Sequence, residues 1–208
     1  MRLMSGLYRG FHPFDSWGLW EDYDVAHDPD DLRTGDTLII HGGSDISPSL
    51  YGKKVSKQTW ASENPSQRDI AEMSLIQRAT ELGCPIIGIC RGGQLLCAAA
   101  GGYLIQHLDN HGGVNHPVVT NDGKQFYVNT IHHQMMMPGN TKHELIAWTP
   151  ERLSKRYFDE DTMVEVPKEN EFIFFNDIKG FAIQWHPEGM SEKSAANIYL
   201  ERFVKDRM

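Results

Sequence analysis

The chain lacks any apolar run close to the roughly 20 residues needed to cross a bilayer. Stretches such as Thr37 to Ile40 and Pro85 to Ile89 are far too short, so no membrane span is expected. The N-terminal residues carry Arg2 but no sustained apolar segment before Arg9, so no signal peptide is expected and a cytoplasmic location is. Cysteine is scarce: Cys84, Cys90 and Cys97 are an odd number, a poor basis for a disulfide framework and an ordinary count for a reducing compartment. Basic residues are also few, 20 against 28 acidic ones for a formal charge of -8, and no Lys/Arg cluster is dense enough to neutralise several phosphates. Nucleic acid is therefore excluded as a partner. Internal repeats, low-complexity tracts and interdomain linkers are missing as well. With 208 residues, 40% hydrophobic and 23% charged, residues 1–208 fit a single domain that buries its own core.

What is present alternates between strand and helix. Arg2 to Tyr8 reads as a short strand, Glu21 to Asp36 as loop and turn, and Thr37 to Ile40 as a buried strand that ends at His41-Gly42-Gly43. Between Ser66 and Leu82 the residues Ile70, Met73, Leu75, Ile76 and Ala79 recur at helical spacing, with Gly83 as a C-cap. Pro85 to Ile89 reads as a fully buried strand, and the segment from Arg91 to a glycine pair at 101–102 as a helix. This order predicts a parallel sheet. Further strand candidates are Val118 to Val119, Gln125 to Ile131, Glu144 to Trp148, Glu171 to Phe175 and Phe181 to Trp185, and Ser191 to Val204 reads as a closing helix.

Gly88-Ile89-Cys90-Arg91-Gly92 stands where a buried strand passes into a helix. A glycine two residues either side of a nucleophile lets the chain reverse sharply and hold the nucleophile above the sheet, the arrangement called a nucleophile elbow. A side chain at Gly88 or Gly92 would clash in such a turn. The helix N-terminus and Arg91 would favour the Cys90 thiolate. The competing reading, Cys90 as a small buried hydrophobe, is the one that suits Cys84 and Cys97, which have no glycine frame or basic neighbour.

A thiolate that cleaves an amide needs a histidine to manage the proton and a carboxylate to orient the ring. His186-Pro187-Glu188 follows an apolar strand, and the proline bend can return Glu188 to the far side of the imidazole. His107, His111 and His116 are spaced like metal ligands, but no zinc-type cysteine pair accompanies them. They read as loop residues, and neither metal nor cofactor is expected. His132-His133-Gln134 is a secondary site candidate, and Met135, Met136 and Met137 read as packing.

Together, Gly88-x-Cys90-x-Gly92-x-Gln94 and His186-Pro187-Glu188 resemble the class I glutamine amidotransferases. The strings HGGSDISPSLYG and IHHQ resemble the γ-glutamyl hydrolase branch, especially enzymes that cleave γ-glutamyl-γ-aminobutyrate, over roughly residues 37–137 and 171–206. The resemblance implies an α/β fold, a flavodoxin-like three-layer sandwich with a mostly parallel central sheet. It also implies a triad of Cys90, His186 and Glu188, and an oxyanion hole from the backbone N–H groups of Gly43 and Arg91. Gln94, with the backbone near His133 and Gln134, would then hold the glutamyl α-amino and α-carboxylate groups.

Two departures from that pattern fall where a leaving group would lie. Residues 9–36, with Trp17 and Trp20, are shorter than the corresponding segment, and Glu151 to Lys168 looks like added material. The expected substrate is a small γ-glutamyl amine. One alternative is an ammonia-supplying glutaminase beside a separate synthase or ligase; another is a noncatalytic binding or redox-sensing protein. A homodimer is compatible with either.

Overall fold

A computed structural model describes residues 1–7 and 17–208. The first part runs β1 (Arg2–Gly6), β2 (Asp22–Ala26), β3 (Thr37–Ile40), α1 (Gln67–Glu81), β4 (Ile86–Ile89) and α2 (Arg91–Ala99). There follow β5 (Tyr103–Ile105), β6 (His107–Leu108), β7 (His116–Thr120), β8 (Gln125–Val128), β9 (Met135–Met137) and β10 (His143–Trp148). The chain closes with β11 (Tyr157–Asp159), β12 (Thr162–Met163), β13 (Asn170–Phe175), β14 (Gly180–Ile183) and α3 (Ala195–Lys205).

Among the described residues a nine-stranded sheet has the order β2-β1-β3-β4-β14-β13-β10-β7-β8. Its pairings are parallel from β2 to β14 and antiparallel from β14 to β8. The antiparallel pairings leave only β13 and β7 running against the rest, so the sheet is mostly parallel, as expected. Strands β3, β4 and β14 are apolar and fully buried because helices cover both faces. On one face α1 and α2 contribute Leu75, Ile76, Ala79, Leu95 and Leu96 to the core; on the other α3 contributes Ala196, Tyr199, Leu200 and Phe203. This is the three-layer α/β architecture.

Helix α1 begins where its sequence signal lies. The Ser66 hydroxyl accepts from Asp69 N–H at 3.1 Å and the Asp69 carboxylate accepts from Ser66 N–H at 2.9 Å, a reciprocal cap that satisfies two orphan donors.

Four regions depart from the sequence expectation or add to it. Residues 21–36, expected as loop and turn, contain β2, which pairs with β1 at the sheet edge. Its exposed Asp22 and Asp24 hid the strand, and charge of this kind is what an edge tolerates. The stretch 151–168, expected only as added material, carries β11 and β12, a hairpin that pairs with β6 as a small separate sheet. Met135 to Met137 form β9, paired with β5, and Met135 and Met136 are buried as packing residues. Strand β8 stops at Val128 instead of reaching Ile131, because Asn129 leaves the ladder to bind the backbone of His186. Tyr8 lies outside the described residues. Trp17 is buried and stacks with Trp20, ring centroids 5.9 Å apart, on the α3 side of the core.

Candidate active site

Strands β3, β4 and β14 lie side by side and end together, so the residues just beyond them converge. Cys90 follows β4 with φ 50° and ψ -109°, a conformation that costs a non-glycine residue about 1–3 kcal/mol and needs firm surroundings. Those surroundings are close. Cys90 N–H donates to Ile183 O of β14 at 2.6 Å, and Cys90 O accepts the Gln94 N–H at 3.0 Å as the first bond of α2. A Cβ on Gly92 would lie 2.1 Å from Ile40 O, one on Gly88 2.5 Å from Gly92 O, and one on Gly93 2.8 Å from Ile183 O. The glycines are thus required by backbone-to-backbone contact, which is how the short string at 88–93 bends strand into helix.

His186 stands just beyond β14. Its Nδ1 lies 2.6 Å from Glu188 Oε1, the short distance of a charge-assisted hydrogen bond. Its Nε2 has no hydrogen-bond partner among the described residues. Asn129 grips the same residue from the side: Asn129 Nδ2 donates to His186 O and His186 N–H donates to Asn129 Oδ1, both at 2.9 Å. Burial opposes a charged ring, but Cys90 and Glu188 outweigh it and raise the imidazole to about 10. The three side chains named from the sequence are therefore brought together. Burial pushes the Cys84 thiol up and the Cys97 thiol to about 12, in keeping with packing roles.

The glycine loop after β3 closes the other side. A Cβ on Gly42 would lie 2.9 Å from His186 Cε1 and 3.6 Å from Cys90 Cβ, so Gly42 sets how near ring and sulfur stand to this loop. Gly43 has φ +155°, and a Cβ there would run into the Arg68 guanidinium. Arg68 Nη2 donates to His41 O at 3.0 Å and Gly42 O at 3.1 Å, which braces the loop from α1. Arg91 opens α2, so its backbone N–H is one of the helix donors with no intrahelical acceptor.

The Arg91 side chain does not serve as expected. It is 2% exposed and pairs with Asp69 at 2.5 Å and with Glu72. Two carboxylates neutralise its charge, so Arg91 is a buried ion-pair partner of α1 and not the free positive charge beside Cys90 that the sequence suggested. Gln94 is buried and its Nε2 donates to Gln134 O at 3.4 Å, while the Gln134 side chain turns inward to Gln106 O. His133 is more open: its Nε2 lies 3.0 Å from Asp45 Oδ1, and its ring packs on Trp60 with centroids 4.2 Å apart. Trp60, 77% exposed, joins Asp45, Arg68 and Arg91 in lining a cleft beside the glycine loop. Asn129, Gly42, Arg68 and the Asp45–Trp60 pair were not legible as site residues, since each acts through tertiary contacts with segments distant in sequence. Of the three spaced histidines, His107 lies against His133 and Asp109, whereas His111 and His116 are buried elsewhere with His132 and Glu171.

Residues 20–188 match the family model of peptidase C26. The chain belongs to the peptidase C26 family. It is 30% identical to NtpR of Enterococcus hirae over 165 residues, which cover 74% of this chain and 66% of that protein. It is 26% identical to a γ-glutamyl-γ-aminobutyrate hydrolase of Escherichia coli O157:H7 over 198 residues, 81% of this chain and 70% of that one. A crystal structure of a glutamine amidotransferase from Thermotoga maritima superposes with a TM-score of 0.57 at 14% identity, covering 100% of this chain and 85% of the other. That likeness is one of fold. In three of the related proteins the matched region makes up 66%, 50% and 67% of their own length. This peptidase C26 member thus has the glutamine amidotransferase-like α/β fold, and no described helix is long and apolar enough to cross a membrane.

Proposed function

We propose that this peptidase C26 member hydrolyses the γ-glutamyl amide bond of small γ-glutamyl amines through a thioester on Cys90. The observation that carries this reading is the pairing of a strained Cys90 at the tip of its elbow with a His186 ring fixed at Nδ1 by Glu188 and unpartnered at Nε2.

The Cys90 thiolate attacks the γ-carbonyl carbon, and the oxygen gathers negative charge opposite the N–H groups of Gly43 and Arg91. Each such donor is worth about 2.7–4 kcal/mol in the transition state. The His186 imidazolium, held charged near neutral pH, protonates the amine nitrogen as the C–N bond breaks, leaving a glutamyl thioester and a neutral ring. The ring then takes a proton from water, the hydroxide displaces sulfur, and glutamate leaves with thiolate and imidazolium restored. Gln94 and the His133–Gln134 segment border the glutamyl end, and the cleft with Asp45 and Trp60 lies where a departing amine could rest.

Purified chain alone, given a panel of γ-glutamyl amines, should release glutamate, and Cys90→Ala should not. If activity arises only with glutamine and only after a synthase partner is added, the ammonia-supplying reading replaces this one.

A further inference from the structure

Away from Cys90, the loop before β7, the first residue of β7, which the sequence had suggested to be loop, the loop after β8 and strand β13 bring His111, His116, His132 and Glu171 together. These side chains are almost wholly sealed, with relative exposures of 1%, 2%, 3% and 0%. Their facing atoms converge on a single oxygen. Glu171 Oε1 lies 3.6 Å from His111 Nδ1, 3.4 Å from His116 Nε2 and 3.6 Å from His132 Nε2. None of these atoms has a hydrogen-bond partner among the described residues.

The opposite edge of each ring says which nitrogen carries hydrogen. His132 Nδ1 is 2.9 Å from Gln134 O, and His116 Nδ1 is 3.2 Å from Pro117 O. A carbonyl can only accept, so these Nδ1 atoms are protonated and a neutral ring presents a bare lone pair at Nε2. His111 is turned the other way: its Nε2 lies 3.2 Å from the Glu169 carboxylate, an ion-pair distance off hydrogen-bond geometry, and a negative oxygen there favours hydrogen on Nε2 and leaves Nδ1 as the lone-pair atom toward Glu171. With the rings neutral, three imidazole lone pairs and a carboxylate oxygen then face one another in a sealed interior. That arrangement is repulsive, and burying so many unsatisfied acceptors is unfavourable unless a cation lies at their centre.

We propose that His111 Nδ1, His116 Nε2, His132 Nε2 and Glu171 Oε1 bind one structural zinc ion. A tetrahedral centre with bonds of about 2.0–2.1 Å has edges of about 3.3–3.4 Å between ligand atoms, close to the separations to Glu171 Oε1. Three imidazoles and a carboxylate are zinc ligands, and four protein ligands with no solvent access make a closed site rather than a catalytic one. The outer partners fit too: metal-bound histidines give their second N–H to a carbonyl or carboxylate, here Gln134 O, Pro117 O and Glu169. Magnesium and calcium, which take six or more oxygens, do not suit this set. The ion ties the loop that carries His133 and Gln134 to β13. Glu171 O in turn accepts the Gln184 N–H at 2.8 Å, two residues before His186. The site is independent of what Cys90 does.

The test is the metal content of the full chain, expressed with zinc in the medium and freed of loose metal by gel filtration. The wild-type chain should hold one zinc per molecule, and X-ray absorption should give four nitrogen or oxygen neighbours with no sulfur. Glu171→Gln and His132→Asn should each hold at least about tenfold less. Should these variants fail to fold, wild-type chain unfolded with chelator and refolded decides: added zinc should restore one equivalent and raise the melting temperature. Wild-type chain that holds no zinc as purified and takes up none on refolding overturns the proposal, and a proton shared among the rings is then the occupant. Zinc retained at full content by both folded variants overturns it equally.

Discussion

At the scale of single residues, the proposed chemistry rests on how His186 is held. The Glu188 carboxylate fixes the ring through Nδ1 at 2.6 Å, so Glu188→Gln keeps the shape but alters which nitrogen carries the proton. Turnover of a γ-glutamyl amine should fall about 10²- to 10⁴-fold, with little change in the melting temperature. The basic limb of the pH profile should also move to lower pH, because one of the groups that raise the ring has lost its charge. A stability effect accompanies this. The folded-state pKa of His186 is raised from 6.5 to about 10, so its contribution is full below about pH 6.5 and fades as pH rises through about 10. Urea midpoints measured from pH 6 to pH 10 should therefore decline more for the wild-type chain than for His186→Gln; equal declines would refute the pairing. That Cys90, His186 and Glu188 would meet was legible because each belongs to a short string with a mechanical reason. Arg91 was misread because a basic neighbour in sequence says nothing of partners such as Asp69 and Glu72, which arrive from α1.

At the scale of elements, the elbow is a meeting of three backbones, those of β3, β14 and α2, and the glycines let them touch. Gly92→Ala would place a methyl 2.1 Å from Ile40 O, where only the strand itself could yield. It should destabilise the fold by about 3 kcal/mol or more, read as a fall in urea midpoint, or leave the chain insoluble. A soluble Gly92→Ala chain of unchanged midpoint would show that the turn has slack. The buried strands β3, β4, β13 and β14 and the helices α1, α2 and α3 could be read from apolar runs, spacing and caps, because their burial is written in their own residues. Strands β2, β6, β11 and β12 could not. They are short or charged, and pairing partners far along the chain make them strands, as when β11 joins β6.

At the scale of the whole molecule, the sheet brings to one edge residues that are 43–188 in the numbering, and the architecture follows from the strand–helix order. The buried histidine cluster was half visible: His111 and His116 stood out by spacing, but His132 and Glu171 join them only through the antiparallel half of the sheet. The cleft with Asp45 and Trp60, proposed above for the leaving group, is likewise assembled from distant segments, and the His133 ring packs at its border. The account turns on a covalent glutamyl group at one sulfur, and this can be weighed directly. Full-length chain mixed with a γ-glutamyl amine, quenched in acid within the first turnover and digested, should yield the Cys90 peptide carrying a glutamyl thioester that hydroxylamine removes. The Cys90→Ala chain should show neither adduct nor turnover. Glutamate release that persists in Cys90→Ala, or a wild-type chain that turns over in steady state while no adduct forms at Cys90 under any quench, would contradict it.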